Sequence, residues 1–148
     1  MMNSMAKTPK LDNLLCFSLY STSLAMNKVY RAQLKPLNIT YSQYLVLVVL
    51  WQQKEATVSE IGEQLFLDSA TLTPLLKRME KADLVIRRRA PEDERHVLIT
   101  LGSEGIKLEE HSTDLFESVG CALGVSEQGA KEIKQALEVI RSNLLRSC

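Results

Sequence analysis

Aromatic residues make up only 5% of the 148 positions, and the sequence has no net charge, its eighteen basic side chains being matched by eighteen acidic ones. Neutrality excludes a global field that would draw the whole protein onto a polyanion, so any nucleic-acid contact has to come from a local basic surface. No apolar run approaches the roughly eighteen residues that mark a membrane helix. Residues 1–10 carry neither an apolar signal core nor a small-residue cleavage pattern, and a cytoplasmic protein with no membrane partner is expected. The three cysteines are odd in number and widely spaced, which argues against a permanent disulfide scaffold. With only two histidines, far apart, and no close cysteine pair, no metal and no other cofactor is expected.

What is present suits one core: 45% of the residues are hydrophobic, and residues 9–148 read as a single domain. The apolar positions are mostly Leu, Val, Ile, Ala and Met at spacings of three and four, so the fold class is expected to be mainly α. Leu11, Leu15, Leu19, Met26, Val29 and Leu34 mark a first long helix, closed by Pro36, and Thr40 or Ser42 can cap a second running through Leu50. Ile106, Leu108, Leu115, Phe116 and Val119 predict a helix over 102–120, and Ile133, Leu137, Ile140 and Leu144 predict another over 126–145. The segments 12–35 and 102–146 thus form a helical frame around the middle of the chain. Its apolar stripes exceed what a module of about forty-five residues covers, so a second copy, making a homodimer, is expected to meet them. A monomeric helical bundle is the plainer alternative.

Residues 57–101 carry the pattern that assigns a function class. Thr57, with Glu60 three residues on, opens a short helix with Ile61 and Leu65 on its inner face. Asp68 or Ser69 opens a second, with Leu72, Leu75, Leu76 and Met79 on the buried side. Pro74 is expected near the first turn, where its missing donor has no intrahelical partner. Two β-prone runs follow, at 84–89 and 96–101, and suit a hairpin. Helix, turn, helix and basic hairpin together predict a winged helix-turn-helix domain embedded in a helical dimerisation frame. Ser69, Thr71 and Thr73 are small enough to enter a major groove of about 12 Å and to bond phosphates or base edges, whereas Lys77 and Arg78 suit phosphates. Arg87, Arg88 and Arg89 supply the basic strand, and at the tip Asp93 can brace Arg95 while its guanidinium reaches a minor groove. The arginine run also reads as a solvated edge balanced by Glu92, Asp93 and Glu94. The expected partner is double-stranded DNA, held mostly through its backbone and therefore less tightly in salt.

Cys16 lies in the first helix with Tyr20 four residues on, so their side chains occupy neighbouring turns. Tyr30 and Tyr41 fall at the far end of that helix and the start of the next, where an antiparallel partner chain could bring their hydroxyls to Cys16. Hydroxyl donors around a sulfur favour thiolate and hold the oxygen of an oxidised sulfur. A lone helical cysteine is more commonly a small core hydrophobe. Both readings stand for Cys16 and for Cys121, which follows Gly120 at a predicted helix end, while Cys148 at the terminus reads as a bystander.

The segments LDNLLCFSLYSTSLAMNKVYRAQLKPLNITYSQYLVLVVLW, LFLDSATLTPLLKRME and RRRAPEDERHVLIT resemble the organic hydroperoxide resistance regulators of the MarR family, and the resemblance spans essentially residues 12–145. It implies a winged-helix dimer whose terminal helices pair the chains. It also puts the peroxide-reactive cysteine at Cys16, with Tyr30 and Tyr41 bonding to its sulfur and Tyr20 a further aromatic near it. Cys121 matches the resolving cysteine of the two-cysteine branch, which pairs with the reactive cysteine of the other subunit. The resemblance implies a repressor, not an enzyme, on a palindromic DNA operator, with organic hydroperoxides as inducers that convert Cys16 to sulfenic acid and then to a thiol-reversible disulfide. Two departures stand out. Gly102 occupies the usual threonine position of the wing motif that ends at Gly105, leaving Ser103 to cap the next helix with a one-residue shift. Ala70 stands where glycine is frequent. Two rival functions remain: release by a reversible hydrophobic or phenolic ligand among Phe17, Tyr20, Tyr30 and Tyr41, and, less favoured for want of an evident histidine base near Cys16, a thiol peroxidase using Cys16 and Cys121.

Overall fold

The computed structural model describes residues 8–93 and 96–147, so Arg95 and Cys148, both singled out above, lie outside the described residues. In chain order the elements are α1 (Leu15–Leu34), α2 (Tyr41–Gln53), β1 (Glu55–Thr57), α3 (Val58–Leu65), α4 (Ser69–Lys81), β2 (Val85–Arg89), β3 (Val97–Leu101), α5 (Ser103–Leu108), α6 (Ser112–Leu123) and α7 (Glu127–Arg146). The fold is mainly helical with a small antiparallel wing, and the chain divides into two compact units, Met1–Glu110 and His111–Cys148. Among the described residues no helix is long and apolar enough to cross a membrane.

In the first unit side-chain caps set the starts of α2, α3 and α4. Thr40 forms a reciprocal box with Gln43, its hydroxyl accepting from the Gln43 amide at 3.3 Å while the Gln43 side chain accepts from the Thr40 amide at 3.0 Å. The Thr57 hydroxyl accepts from the Glu60 amide at 3.1 Å. Asp68, rather than Ser69, opens α4 by accepting from the Thr71 amide at 2.8 Å. Each satisfies an amide that has no carbonyl partner in a first helical turn. Between them, α3 closes on Phe66 at a left-handed φ of 58°, and the Leu67 amide donates back to the Gly62 carbonyl. A Cβ on Gly62 would stand 2.8 Å from the Leu67 carbonyl oxygen, so glycine lets this turn close.

The helix spacing places Leu34, Leu47, Leu50, Ile61, Leu72, Leu76 and Met79 in a single core with Ile99 of the sheet. Complete burial of each such side chain stabilises the fold by roughly 1.5–3 kcal/mol. The sheet differs from the expected two-stranded hairpin, because β1 pairs antiparallel with β3, giving the order β1-β3-β2. Three residues are too few to show an alternating pattern. They form a strand because Ala56, paired with Ile99, is buried in the same core.

Three further expectations are corrected. Pro74 is the sixth residue of α4, not part of its first turn, and it removes the donor that would bond the Ala70 carbonyl. Both residues are on the exposed face of the helix. The cap of α5 does not shift to Ser103; Gly102 is the cap residue and makes no side-chain bond. Threonine is excluded there by space, since a Cβ on Gly102 would stand 2.3 Å from the Asp83 carbonyl oxygen. Finally, the predicted helix over 102–120 is divided into α5 and α6 by a 3-10 turn at Glu109–His111, where the first unit ends and the second begins.

In the second unit α6 buries Leu115 and Val119, and α7 starts where the Ser126 hydroxyl accepts from the Gly129 amide at 3.0 Å. No residue of α7 is buried, and its predicted stripe at Ile133, Leu137 and Leu144 faces solvent.

Gly105 is the tightest of these close approaches, a Cβ there standing 2.2 Å from the Leu84 carbonyl oxygen. Gly105→Ala should therefore lower folding stability by about 1–3 kcal/mol. The expected result is a lower urea midpoint at fixed protein concentration with an unchanged slope; an unshifted midpoint would show that the contact yields freely.

Candidate nucleic-acid interface and thiol sensor

Leu72, Leu75, Leu76 and Met79 pin one side of α4 into the core, and the opposite side is left to solvent. The predicted contact residues Ser69, Thr71, Lys77 and Arg78 are exposed and Thr73 is half-buried. The outermost row also holds Ala70, Pro74 and Lys81, which recur with Lys77 at helical spacing, and of these the sequence reading passed over Lys81. Asp68 holds the start of this helix, and hydrogen bonds from the Thr71 side chain and amide keep its carboxyl below the usual carboxylate range. A cleft of about 260 Å³ brings Ser69 and Thr73 together with Thr57 and Ser59 at the start of α3 and with Arg87 and His96 of the wing. His96 was not foreseen, and nothing local in the sequence marks it, because its place depends on the strand pairing.

The strand pleat divides the arginine run. Arg87 and Arg89 point to one face of β2 and Arg88 to the other. Arg87 pairs with Glu80 of α4 at 3.8 Å, and its Nε is buried with no hydrogen-bond partner. Arg88 pairs with Glu55 of β1 at 3.6 Å. Among the described residues the carboxylates facing these two guanidiniums therefore come from α4 and β1, while Glu94 of the tip lies outside the described residues. At the tip, Asp93 sits 3.6 Å from His96 Nδ1.

Cys16 is exposed in the first turn of α1, with exposed Tyr20 one turn on. Tyr30 is fourteen residues further along the same helix, about 21 Å away at a rise of 1.5 Å per residue. Within one chain, therefore, Cys16 does not meet Tyr30. Tyr30 instead packs on Tyr41, their ring centroids 4.3 Å apart. Tyr44 lies 5.8 Å from Tyr30 and 6.4 Å from Tyr41, Trp51 is 6.1 Å beyond Tyr44, and the Trp51 indole donates to the Gly105 carbonyl at 2.9 Å. Sequence reasoning missed Tyr44 as a member of this cluster; its signal was the three-residue and seven-residue spacing from Tyr41 and to Trp51. Burial, followed by the neighbouring phenols of Tyr41 and Tyr44, pushes the Tyr30 hydroxyl up to about 12. Burial also raises Tyr41 and Tyr44, so the three phenols stay protonated at neutral pH. Cys121, in the second unit, is exposed near the end of α6.

A family model described as transcriptional regulator SarA/Rot matches residues 28–111. The chain is 51% identical over 126 residues to the organic hydroperoxide resistance transcriptional regulator of Bacillus subtilis (strain 168), covering 85% of this chain and 84% of that protein. Among solved structures it is similar to reduced AbfR bound to DNA, with a TM-score of 0.76 and 38% identity over 91% of this chain and 94% of the other. It is also similar to disulfide-formed AbfR, with a TM-score of 0.65 and 40% identity over 88% and 91%; AbfR is a protein of Staphylococcus epidermidis.

The tyrosine cluster gives a signed pH dependence. Because the folded Tyr30 ionises near 12 and a free phenol near 10, the unfolded chain releases this proton first and folding stability falls as pH rises across that interval. Denaturation midpoints should drop over that range, and Tyr30→Phe should flatten the drop; an identical slope in the variant would assign the effect to other groups.

Proposed function

Because the chain belongs to the MarR family of transcriptional regulators, and is a regulator and not an enzyme, we propose that it represses transcription as a homodimer and leaves its operator when an organic hydroperoxide oxidises Cys16. The inducer class is taken from the name of the Bacillus subtilis relative, and duplex DNA as the target from the reduced AbfR complex. In this reading α4 enters the major groove with Ser69, Thr71 and Thr73 towards the bases, and Lys77 and Arg78 neutralise phosphates. The wing, with Arg87, Arg88, Arg89, Asp93 and Arg95, reaches the minor groove. Two copies read half-sites of a palindrome about 34 Å apart.

The observation that carries the sensing part is the Tyr30–Tyr41 pair, whose rings lie 4.3 Å apart at the opposite end of α1 from Cys16. An antiparallel second chain would lay its own Cys16 beside these protonated phenols, and the exposed apolar residues of α1 and α7 are the surface such a pairing would cover. The thiolate of Cys16 attacks the terminal peroxide oxygen: an S–O bond forms as the O–O bond breaks, sulfur is oxidised by two electrons, and the peroxide leaves as an alcohol carrying the proton. The sulfenic acid then condenses with the Cys121 thiol of the other subunit, forming S–S and releasing water. A disulfide requires α carbons about 4.4–6.8 Å apart, so closing it displaces helices and spoils the spacing of the reading heads. Disulfide-formed AbfR supports such a state in a relative.

A duplex-binding titration coupled to non-reducing mass analysis tests this. Wild-type protein should lose operator affinity after brief hydroperoxide treatment and regain it with thiol, and its binding should weaken steeply with salt. Cys16→Ser should bind but not respond, and Cys121→Ser should form sulfenic acid without the intersubunit disulfide. Release of Cys16→Ser at the same dose sinks the redox reading and favours reversible capture of a ligand.

A further inference from the structure

A cavity of about 540 Å³ opens between the last turns of α1 and the start of α2, lined by Asn27, Arg31, Lys35, Ile39, Tyr41 and Ser42 among others. That volume is in the range of small-molecule sites. No carboxylate lines it. Arg31, in the last turn of α1, and Lys35, its C-cap residue with helical backbone angles, stand four residues apart, where like charges repel. Neither has a carboxylate partner among the described residues. Their place at the end of α1 suits the negative pole of that helix. That accounts for two cations, but not for their shared concavity, which holds amide and hydroxyl donors and no counter-charge.

We infer that this cavity seats the carboxylate of an anionic organic hydroperoxide, so that Arg31 and Lys35 make the protein respond preferentially to carboxylate-bearing inducers over neutral ones. The inference rests on the reading of Cys16 as the sensor. A carboxylate held between a guanidinium and an ammonium gains charge-assisted hydrogen bonds and relieves their mutual repulsion. Ile39, 8% exposed, offers an apolar wall for the hydrocarbon body. Tyr41 belongs both to the cavity lining and to the phenol pair with Tyr30. A molecule anchored by its head on Arg31 and Lys35 therefore extends towards the place where the second subunit's sulfur is proposed to lie. The oxidation itself is unchanged: the O–O bond breaks, sulfur takes the terminal oxygen, and the carboxylate is not consumed.

The experiment compares a medium-chain hydroperoxy carboxylic acid with its methyl ester on the full-length reduced protein, reading the rate of Cys16 oxidation by mass analysis. The acid should react about tenfold faster, the scale of a hydrogen-bonded charge pair. In Arg31→Gln/Lys35→Gln, and in wild type at high salt, the acid-to-ester ratio should approach one. A wild-type ratio near one, or a ratio that persists in the double variant, overturns the inference. If neither hydroperoxide oxidises Cys16, the redox reading itself fails and the cavity is judged by calorimetry with the parent carboxylic acid and its ester. Binding of the acid that the double variant loses supports the carboxylate seat, and absence of such binding removes it.

Discussion

The reading head is held together by a contact with no spare volume. The backbone at Asp83 and Leu84 lies so close to Gly102 and Gly105 that a Cβ on either glycine would meet a carbonyl oxygen at 2.3 or 2.2 Å. Two hydrogen bonds cross the same seam, from the Gly102 amide to the Leu84 carbonyl at 2.9 Å and from the Glu104 amide to the Asp83 carbonyl at 3.0 Å. Asp83 meets its share of the geometry with a left-handed φ of 58°, a conformation that aspartate tolerates better than most residues. On the far side of Gly105 its carbonyl accepts the Trp51 indole. The end of α4, both ends of the wing, α5 and α2 are thus tied at one place, and a displacement of any of them is felt by the rest.

That seam bears on where the charged side chains of the wing are turned in a protein of zero net charge. Once the register Val85 to Leu101 and Arg89 to Val97 is set, the pleat decides where each guanidinium points. Arg87 is turned towards Glu80 and the cleft beside Ser69 and Thr73, while Arg88 is turned towards Glu55. Such half-exposed pairs add little to stability. Their effect is to orient the guanidiniums. The same constraint reaches the phenols, since the chain of aromatic contacts from Tyr30 and Tyr41 through Tyr44 ends at Trp51, whose indole is held by the seam.

Much of this was legible beforehand. The buried faces of α3 and α4, the caps at Thr40 and Thr57, and the two long β-prone runs all rest on residues within a few positions of one another. The positions of Cys16, Tyr20, Tyr30 and Tyr41 along their helices followed from the same spacing. Pro74 lies beyond the first turn whichever of Asp68 and Ser69 provides the cap, and the helix carries it there with Pro74 and Ala70, whose carbonyl loses its donor, both on the exposed face. The break at Glu109–His111 escaped notice because Ile106, Leu108, Leu115 and Phe116 keep a nearly continuous helical period across it.

By itself the sequence determined the helical class, the buried faces of α3 and α4, and the succession of helix, turn, helix and basic hairpin, because propensity, capping and periodicity act over one or two turns. Only the tertiary structure decided that β1 joins the sheet, that the three arginines part company, that Tyr44 and Trp51 extend the tyrosine pair, and that Arg31 and Lys35 share a cavity with Tyr41. These outcomes depend on contacts between distant parts of the chain, such as Trp51 and Gly105 at a separation of 54 residues, and no local pattern encodes which distant surfaces will close on one another.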